Sequence, residues 1–287
     1  MSATARILPD GERLHLQHGP SDLVVWAEGA RDQAYHAATK RFGTIIAELV
    51  DELPDLRTRL STRSARPQGA VAKRMHDVCL PYVGQTQLTR MAAVAGAIAD
   101  EVLGAMTSGA TLTRAYVNNG GDIALYLASG TSFRTAISAY DGKELGHIYI
   151  SAEDGIGGIA TSGRHGRSLS LGIADSVTVL ARSAAKADVA ATLVANAVDL
   201  PDHPAVTRRP AHEVDEASDL GDLPVTVSCD TLSDDECDRA LANGIETART
   251  FQAQGCIAAA AAFLQGRCAT LGAQILTFQQ EPEHVQA

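Results

Sequence analysis

Positive charge is the first thing this sequence has too little of. Lys and Arg total 24 against 34 Asp and Glu, a formal net charge of −10. A chain without a cationic surplus has little with which to displace counterions from a phosphate backbone, so the expectation is no nucleic acid as a general partner. The same deficit argues against adsorption to an anionic membrane. No apolar run approaches the roughly 20 residues that span a bilayer. The N-terminal "MSATARILPDGERLHLQHG" also lacks the continuous apolar core of a signal peptide. A cytoplasmic protein with no membrane partner is the reading.

Other absences narrow the chemistry. Cys79, Cys229, Cys237, Cys256 and Cys268 are odd in number and widely spaced, with no CxxC pair and no HExxH. Reduced, mostly buried thiols are expected, and no structural zinc. "GIATSG" is not a GxSxG elbow, because Ala160 stands in the first glycine's place, and no Gly-Lys-Ser/Thr makes a Walker loop. Neither internal repeats nor low-complexity tracts divide the chain.

What is present is an ordinary globular balance, 45% apolar and 20% charged over 287 residues. "DLVVWAEG" (22–29) alternates as a strand does. From Arg31, apolar residues recur at helical spacing until Pro54, which is expected to stop the helix. "RTRLSTRSARPQGAVAKRM" reads as loop, and residues 88–106 as a helix so rich in Ala and Gly that something packs closely on it. "TRAYV" and "DIALYL" form one hairpin, and "FRTAISAYDGKELGHIYI" forms another, turned at Asp141 and Gly142. A Gly-rich loop (153–168) leads to the strand "DSVTVLA" and to a helix with Ser183 as N-cap. Residues 199–224 read as irregular, "VTVSC" as a short strand, and Ser233 as the cap of a further helix before an apolar tail. Helices alternating with antiparallel hairpins, and no flexible linker, give one α+β domain over residues 1–287. The Ala- and Gly-rich helix faces and the apolar tail pack within the chain or across a homodimer.

Four places offer polar groups against this background. "VNNGGD" (117–122) is a tight turn in which small residues also admit a ligand close to the backbone, with Asp122 beside it. Asp100 is the acidic residue on the small-residue face of "MAAVAGAIAD". It is either a helix-edge carboxylate paired with an Arg or a site residue. Thr161, Ser162 and Gly163 are either a nest for phosphate or a plain turn. Ser162 is also a candidate hydrolytic nucleophile. Asp188 and Thr192, at i and i+4, share one helix face. Two oxygens so placed suit Mg²⁺, while Thr192 bonding back to its own helix is the structural alternative.

In order and spacing, "MAAVAGAIAD", "VNNGGDIAL", "GIATSG", "SVTVLA" and "ADVAAT" resemble the successive motifs of the ApbE-like superfamily, whose best-known members are FAD:protein FMN transferases. The closest likeness is to its uncharacterised ApbE-related branch. The resemblance implies a T-fold-like α+β architecture, Mg²⁺ and FAD as cofactors, and a flavin nucleotide as small-molecule ligand. By position it implies Asp188, Thr192 and the Ala92 carbonyl as metal ligands. It places Asp100, Asn119, Gly120, Gly121, Asp122, Thr161, Ser162 and Gly163 at the nucleotide. Two features depart from the pattern. Ala95 stands where the transferases carry a lysine before the helix glycine, and "RHGRSLSLGIA" replaces their His-Ile-x-Asp-Pro stretch. Arg164, His165 and Arg167 are the groups nearby that could supply the missing positive charge.

Overall fold

The computed structural model describes residues 3–84 and 87–277. In chain order the elements are β1 (Thr4–Ile7), β2 (Leu14–His18), β3 (Ser21–Gly29), α1 (Arg31–Asp51), α2 (Leu53–Leu56), α3 (Ala70–Cys79) and α4 (Val94–Gly109). Then follow β4 (Leu112–Asn119), β5 (Asp122–Leu127), β6 (Ser132–Ser138), β7 (Glu144–Ser151), β8 (Gly158–Ser162), β9 (Ser176–Ala181) and α5 (Ala184–Ala197). The chain continues through β10 (Val206–Pro210), α6 (Ala211–Val214), β11 (Pro224–Cys229), α7 (Asp234–Ala253), β12 (Ala259–Leu264), β13 (Arg267–Leu271) and β14 (Ile275–Thr277).

Nine strands make one antiparallel sheet in the order β1-β2-β3-β4-β5-β8-β9-β12-β13. Alternation decides its faces: along β3, Ser21, Leu23, Val25 and Ala27 are buried while the residues between them are half-buried. Helices α1, α4, α5 and α7 cover the inner face. Their core falls into two clusters, one around Phe42, Ile45 and Met106, the other around Ile173, Val194 and Phe251. The second hairpin leaves this sheet. β6 and β7 join β14 in a three-stranded sheet that buries Ile137, Ile148 and Ile150 against Ile159, Leu180 and Phe263 on the opposite face.

Four readings need correction. The first helix ends at Asp51, and Pro54 lies in the first turn of α2, where its missing N–H costs nothing. The supposed loop 57–75 contains the start of α3. Its helix start carries no cap of its own, because Glu52 reaches back to accept the amides of Gln68 and Gly69, both at 2.7 Å. Buried Arg90 holds the same segment by donating to the carbonyls of Asp55 (2.7 Å) and Ala65 (2.9 Å) and to His76 Nδ1 (3.1 Å). Residues 158–162, expected as loop, form the central strand β8. The irregular region also holds β10, paired with β11.

The stretch Arg90–Gly109 is, by length and composition, long and apolar enough to cross a membrane, which a count of consecutive apolar residues does not reveal. Here it is a core element, with Ala97, Ile98, Val102 and Met106 buried between α1 and the sheet. All five cysteines are free. Cys79 and Cys237 are buried, Cys229 and Cys256 half-buried, and Cys268 exposed.

Candidate functional site

Helices α4 and α5 cap each other. Asp188, on the second turn of α5, accepts the Gly96 amide at 2.9 Å in the first turn of α4. Asp100, on α4, accepts the amides of Ala184 (2.9 Å) and Ala185 (3.0 Å) at the start of α5. Neither helix carries at its own N-terminus the acidic residue that its dipole and open amides call for. The two borrow it from one another, across 84 to 92 residues of chain. Gly96 makes the approach possible, since a Cβ there would lie 2.4 Å from the Ala184 carbonyl oxygen. Asp100 is thus bonded to helix amides rather than to an arginine. Asp100→Ala is expected to strip the acceptor from both amides and cost about 1–3 kcal/mol. A urea titration should show a lower midpoint with an unchanged slope.

The Asn-Asn-Gly-Gly-Asp turn is a two-residue hairpin loop. Asn119 faces Asp122 in the ladder, and Gly120 and Gly121 both have positive φ, +67° and +113°. Asn118 Oδ1 accepts the Gly121 amide at 2.9 Å. Buried Asn119 donates Nδ2–H to the Ala95 carbonyl at 3.1 Å, tying the turn to the first turn of α4. So positioned, Asp122 lines a cavity of about 580 Å³. Asp188, half-buried and not among the lining residues, is bonded to the amides of Gly96 and Ala95.

Burial pushes the Asp188 carboxyl up to about 7, against the lowering effect of those amides and with the help of Asp100's charge. Burial, then the charge of Asp188, also pushes Asp122 well above the usual carboxylate range, and Arg167 opposes this in part. Two acidic groups therefore share a poorly solvated site with one nearby cation.

Thr161 and Ser162 complete β8, in register with Thr178 and Val177, and are a strand end rather than a free loop. Gly163 stops the strand at φ +150°, where a Cβ would lie 2.6 Å from the Asp175 carbonyl oxygen. All three residues line the cavity, together with Asn119 and Gly120. Of the three candidate cations, Asp175 occupies two. Its Oδ1 takes Arg164 Nη2 at 2.6 Å and His165 Nε2 at 3.3 Å. Arg167 reaches the cavity instead, lying so close over the turn that a Cβ on Gly120 would meet its Nη2 at 2.1 Å.

Ala92, in the 3-10 turn before α4, and Thr192, one turn beyond Asp188 and half-buried, are not among the cavity's lining residues. The acidic centre of the described residues is Asp122 with Asp188. No group of three or more His, Cys, Asp or Glu placed to hold a metal occurs among them.

Sequence reasoning missed the cavity's aliphatic wall. Ile46, Leu49, Val50, Leu53 and Leu56 of α1 and α2, with Arg57 at their end, line the same cavity as Asp122. Their spacing signals only a buried helix face, so nothing in the pattern marked them.

The sequence matches the family described as AbpE bacteria over residues 5–270. It is 35% identical over 167 residues to a UPF0280 protein of Methanopyrus kandleri, covering 58% of this chain and 64% of that one. To a UPF0280 protein of Methanothrix thermoacetophila it is 40% identical over 130 residues, 45% of this chain and 52% of the relative. The chain thus spans between about half and just under two thirds of the length of these curated relatives. The motif order that resembled the ApbE-like superfamily is carried through nearly the whole chain by that match: this protein belongs to the AbpE bacteria family.

Proposed function

We propose that this protein binds a phosphorylated small molecule together with a divalent cation, and that a flavin nucleotide such as FAD is the first ligand to try. The observation that carries the reading is the Asp122–Asp188 pair. Two carboxylates raised by burial, Asp122 further by the charge of Asp188 and Asp188 further by that of Asp100, with Arg167 as the nearby cation, leave a site short of positive charge. Mg²⁺, which prefers oxygen ligands and commonly completes its shell with water and ligand phosphate, fits that donor set. Asp122 and Asp188 would hold it, with Thr192 and the Ala92 carbonyl as the further ligands that the family resemblance suggests. When bound, the cation would offset charge developing on a diphosphate. Arg167 and the Ser162 hydroxyl would orient the phosphates. A cavity of about 580 Å³ is of small-ligand size. Flavin or nucleotidyl transfer is the reaction class that such a site suits.

A second reading draws on the wall. Among the described residues the cavity is lined by aliphatic side chains and by no aromatic ring, and Ala95 replaces the transferases' lysine. A protein that binds without transfer, or a different small-molecule enzyme on the same fold, is consistent with that composition.

Calorimetric titration of metal-stripped protein with FAD, with and without Mg²⁺, tests the main reading. Mg²⁺-dependent binding is expected in the wild type. In Asp122→Asn, which keeps the turn and removes one charge, the affinity should fall at least tenfold. Binding indifferent to Mg²⁺ and to Asp122 would overturn the cation assignment. No binding of FAD would pass the site to another phosphorylated ligand.

A further inference from the structure

A second cavity, of about 410 Å³, lies on the other face of the large sheet, between its interior strands β5, β8 and β9 and the β6–β7 hairpin. It shares Gly120, Thr161, Ser162, Gly163 and Gly166 with the first, so the two flank the same pair of strand tips. Side-chain alternation produces this arrangement. Along β8, Ala160 belongs to the helix-side core, while Ile159 belongs to the cluster beneath the hairpin. Thr161, two residues on from Ile159, points the same way and meets buried Thr178 of β9, hydroxyl to hydroxyl, at 3.0 Å.

The chemistry of the second cavity differs from that of the first. Its floor is aliphatic: Ile123, Ile137, Ile148 and Ile159. Its polar lining is mostly hydroxyl: Thr135, Ser138, Thr161, Ser162, Ser176 and Thr178. The one carboxylate there, Asp175, is already satisfied. Oδ1 accepts from Arg164 and faces His165, and Oδ2 accepts the Gln265 amide at 2.5 Å. At the rim, Tyr140 of the hairpin tip stacks on His165 of the 163–168 turn, with ring centroids 4.0 Å apart and planes within 23°. The first cavity concentrates charge, and the second has its charge cancelled.

The geometry points to the second cavity as a binding lobe for an uncharged, ring-bearing group with hydrogen-bonding edges, such as a nucleoside base or a comparable heterocycle. An apolar floor receives the faces of a ring, hydroxyls can donate to or accept from its edge, and an ionised group would find no free counter-charge. The Tyr140–His165 stack sets the aromatic surface at the entrance, with Tyr140 71% exposed. Linked to the phosphate site over the shared tips, the lobe would take the ring of the same ligand. That link rests on the proposed function, whereas the lobe itself does not.

Two uncharged probes, adenosine and riboflavin, test the lobe by equilibrium dialysis against the full chain without added metal. At least one is expected to bind. Ser138→Trp, at an exposed lining position, should weaken that binding tenfold or more by filling the lobe, and Tyr140→Ala should weaken it several-fold. Gly104→Ala, outside the lobe's lining, should leave it unchanged. The thermal midpoints of both lobe variants are checked first, and Tyr140→Ala alone suffices if Ser138→Trp does not fold. Binding indifferent to both lobe variants, or no binding of either probe, overturns the lobe. Inorganic pyrophosphate with Mg²⁺ is the parallel probe of the charged cavity. Its failure would refute the cation site while leaving the lobe standing.

Discussion

Gly158→Ala should unfold the protein or cost about 3 kcal/mol or more. A Cβ at Gly158 would sit 2.1 Å from the Ala184 nitrogen, 2.2 Å from the Ser183 carbonyl carbon and 2.4 Å from the Ala184 Cα. All three are backbone atoms at the start of α5, so no side chain can rotate away. Gly96 closes on the next peptide, Ala184–Ala185, from the α4 side. Pushing α5 off β8 would therefore also pull Ala184 and Ala185 from Asp100, and Asp188 from Gly96. Gly104→Ala is the control. That glycine is exposed on α4 with nothing within 4 Å of the added methyl, and the change should stabilise by about 0.5–1 kcal/mol. Denaturant midpoints for the two variants should move in opposite directions. A Gly158→Ala protein as stable as the wild type would mean that β8 and α5 are not in contact as described.

Metal-free protein should lose stability as the pH rises from about 4 to about 7, unlike a protein whose carboxylates sit in ion pairs. The sign follows from Asp188. Its carboxyl titrates near 7 when folded but near 3.8 when exposed. Within that window the folded state holds a proton that the unfolded chain has released, so raising the pH favours unfolding. One proton corresponds to about 1.4 kcal/mol for each pH unit. Asp122, raised in the same direction, adds to the slope. A divalent cation bound by the pair would displace those protons, and Mg²⁺ should flatten or invert the dependence while raising the midpoint at neutral pH. Asp188→Asn should keep an acceptor for the Gly96 amide and lose most of the slope. Urea midpoints measured across this range, with and without Mg²⁺, decide the matter. A midpoint that rises with pH in metal-free protein would refute the buried acidic pair.

Much of this architecture could be read from local signals. The Gly120–Gly121 hairpin, the Ser183 and Ser233 caps and the alternation in β3 are each written within a few residues, and each holds. What escaped depends on distant partners. α3 has no start signal because Glu52 caps it from 17 residues upstream. β8 is glycine-rich for the sake of close packing against α5, a use that composition does not separate from a loop's. The candidate site divides the same way. Asp122, Asp188 and the Thr161–Gly163 strand end stood out as polar groups among apolar neighbours, while the aliphatic wall from α1 and α2 looked like any helix core. Asp100 stood out too, but its partners proved to be amides 84 and 85 residues away.

The mutual capping of α4 and α5 changes what the presence of these aspartates can mean. A relative that bound no ligand at all would still need hydrogen-bond acceptors at both positions to hold the helix pair together. Asparagine at 188 would meet that need at lower electrostatic cost in so enclosed a place. Aspartate adds a charge that the helix dipole and a bound cation could both use, so one side chain would serve the architecture and the proposed site at once.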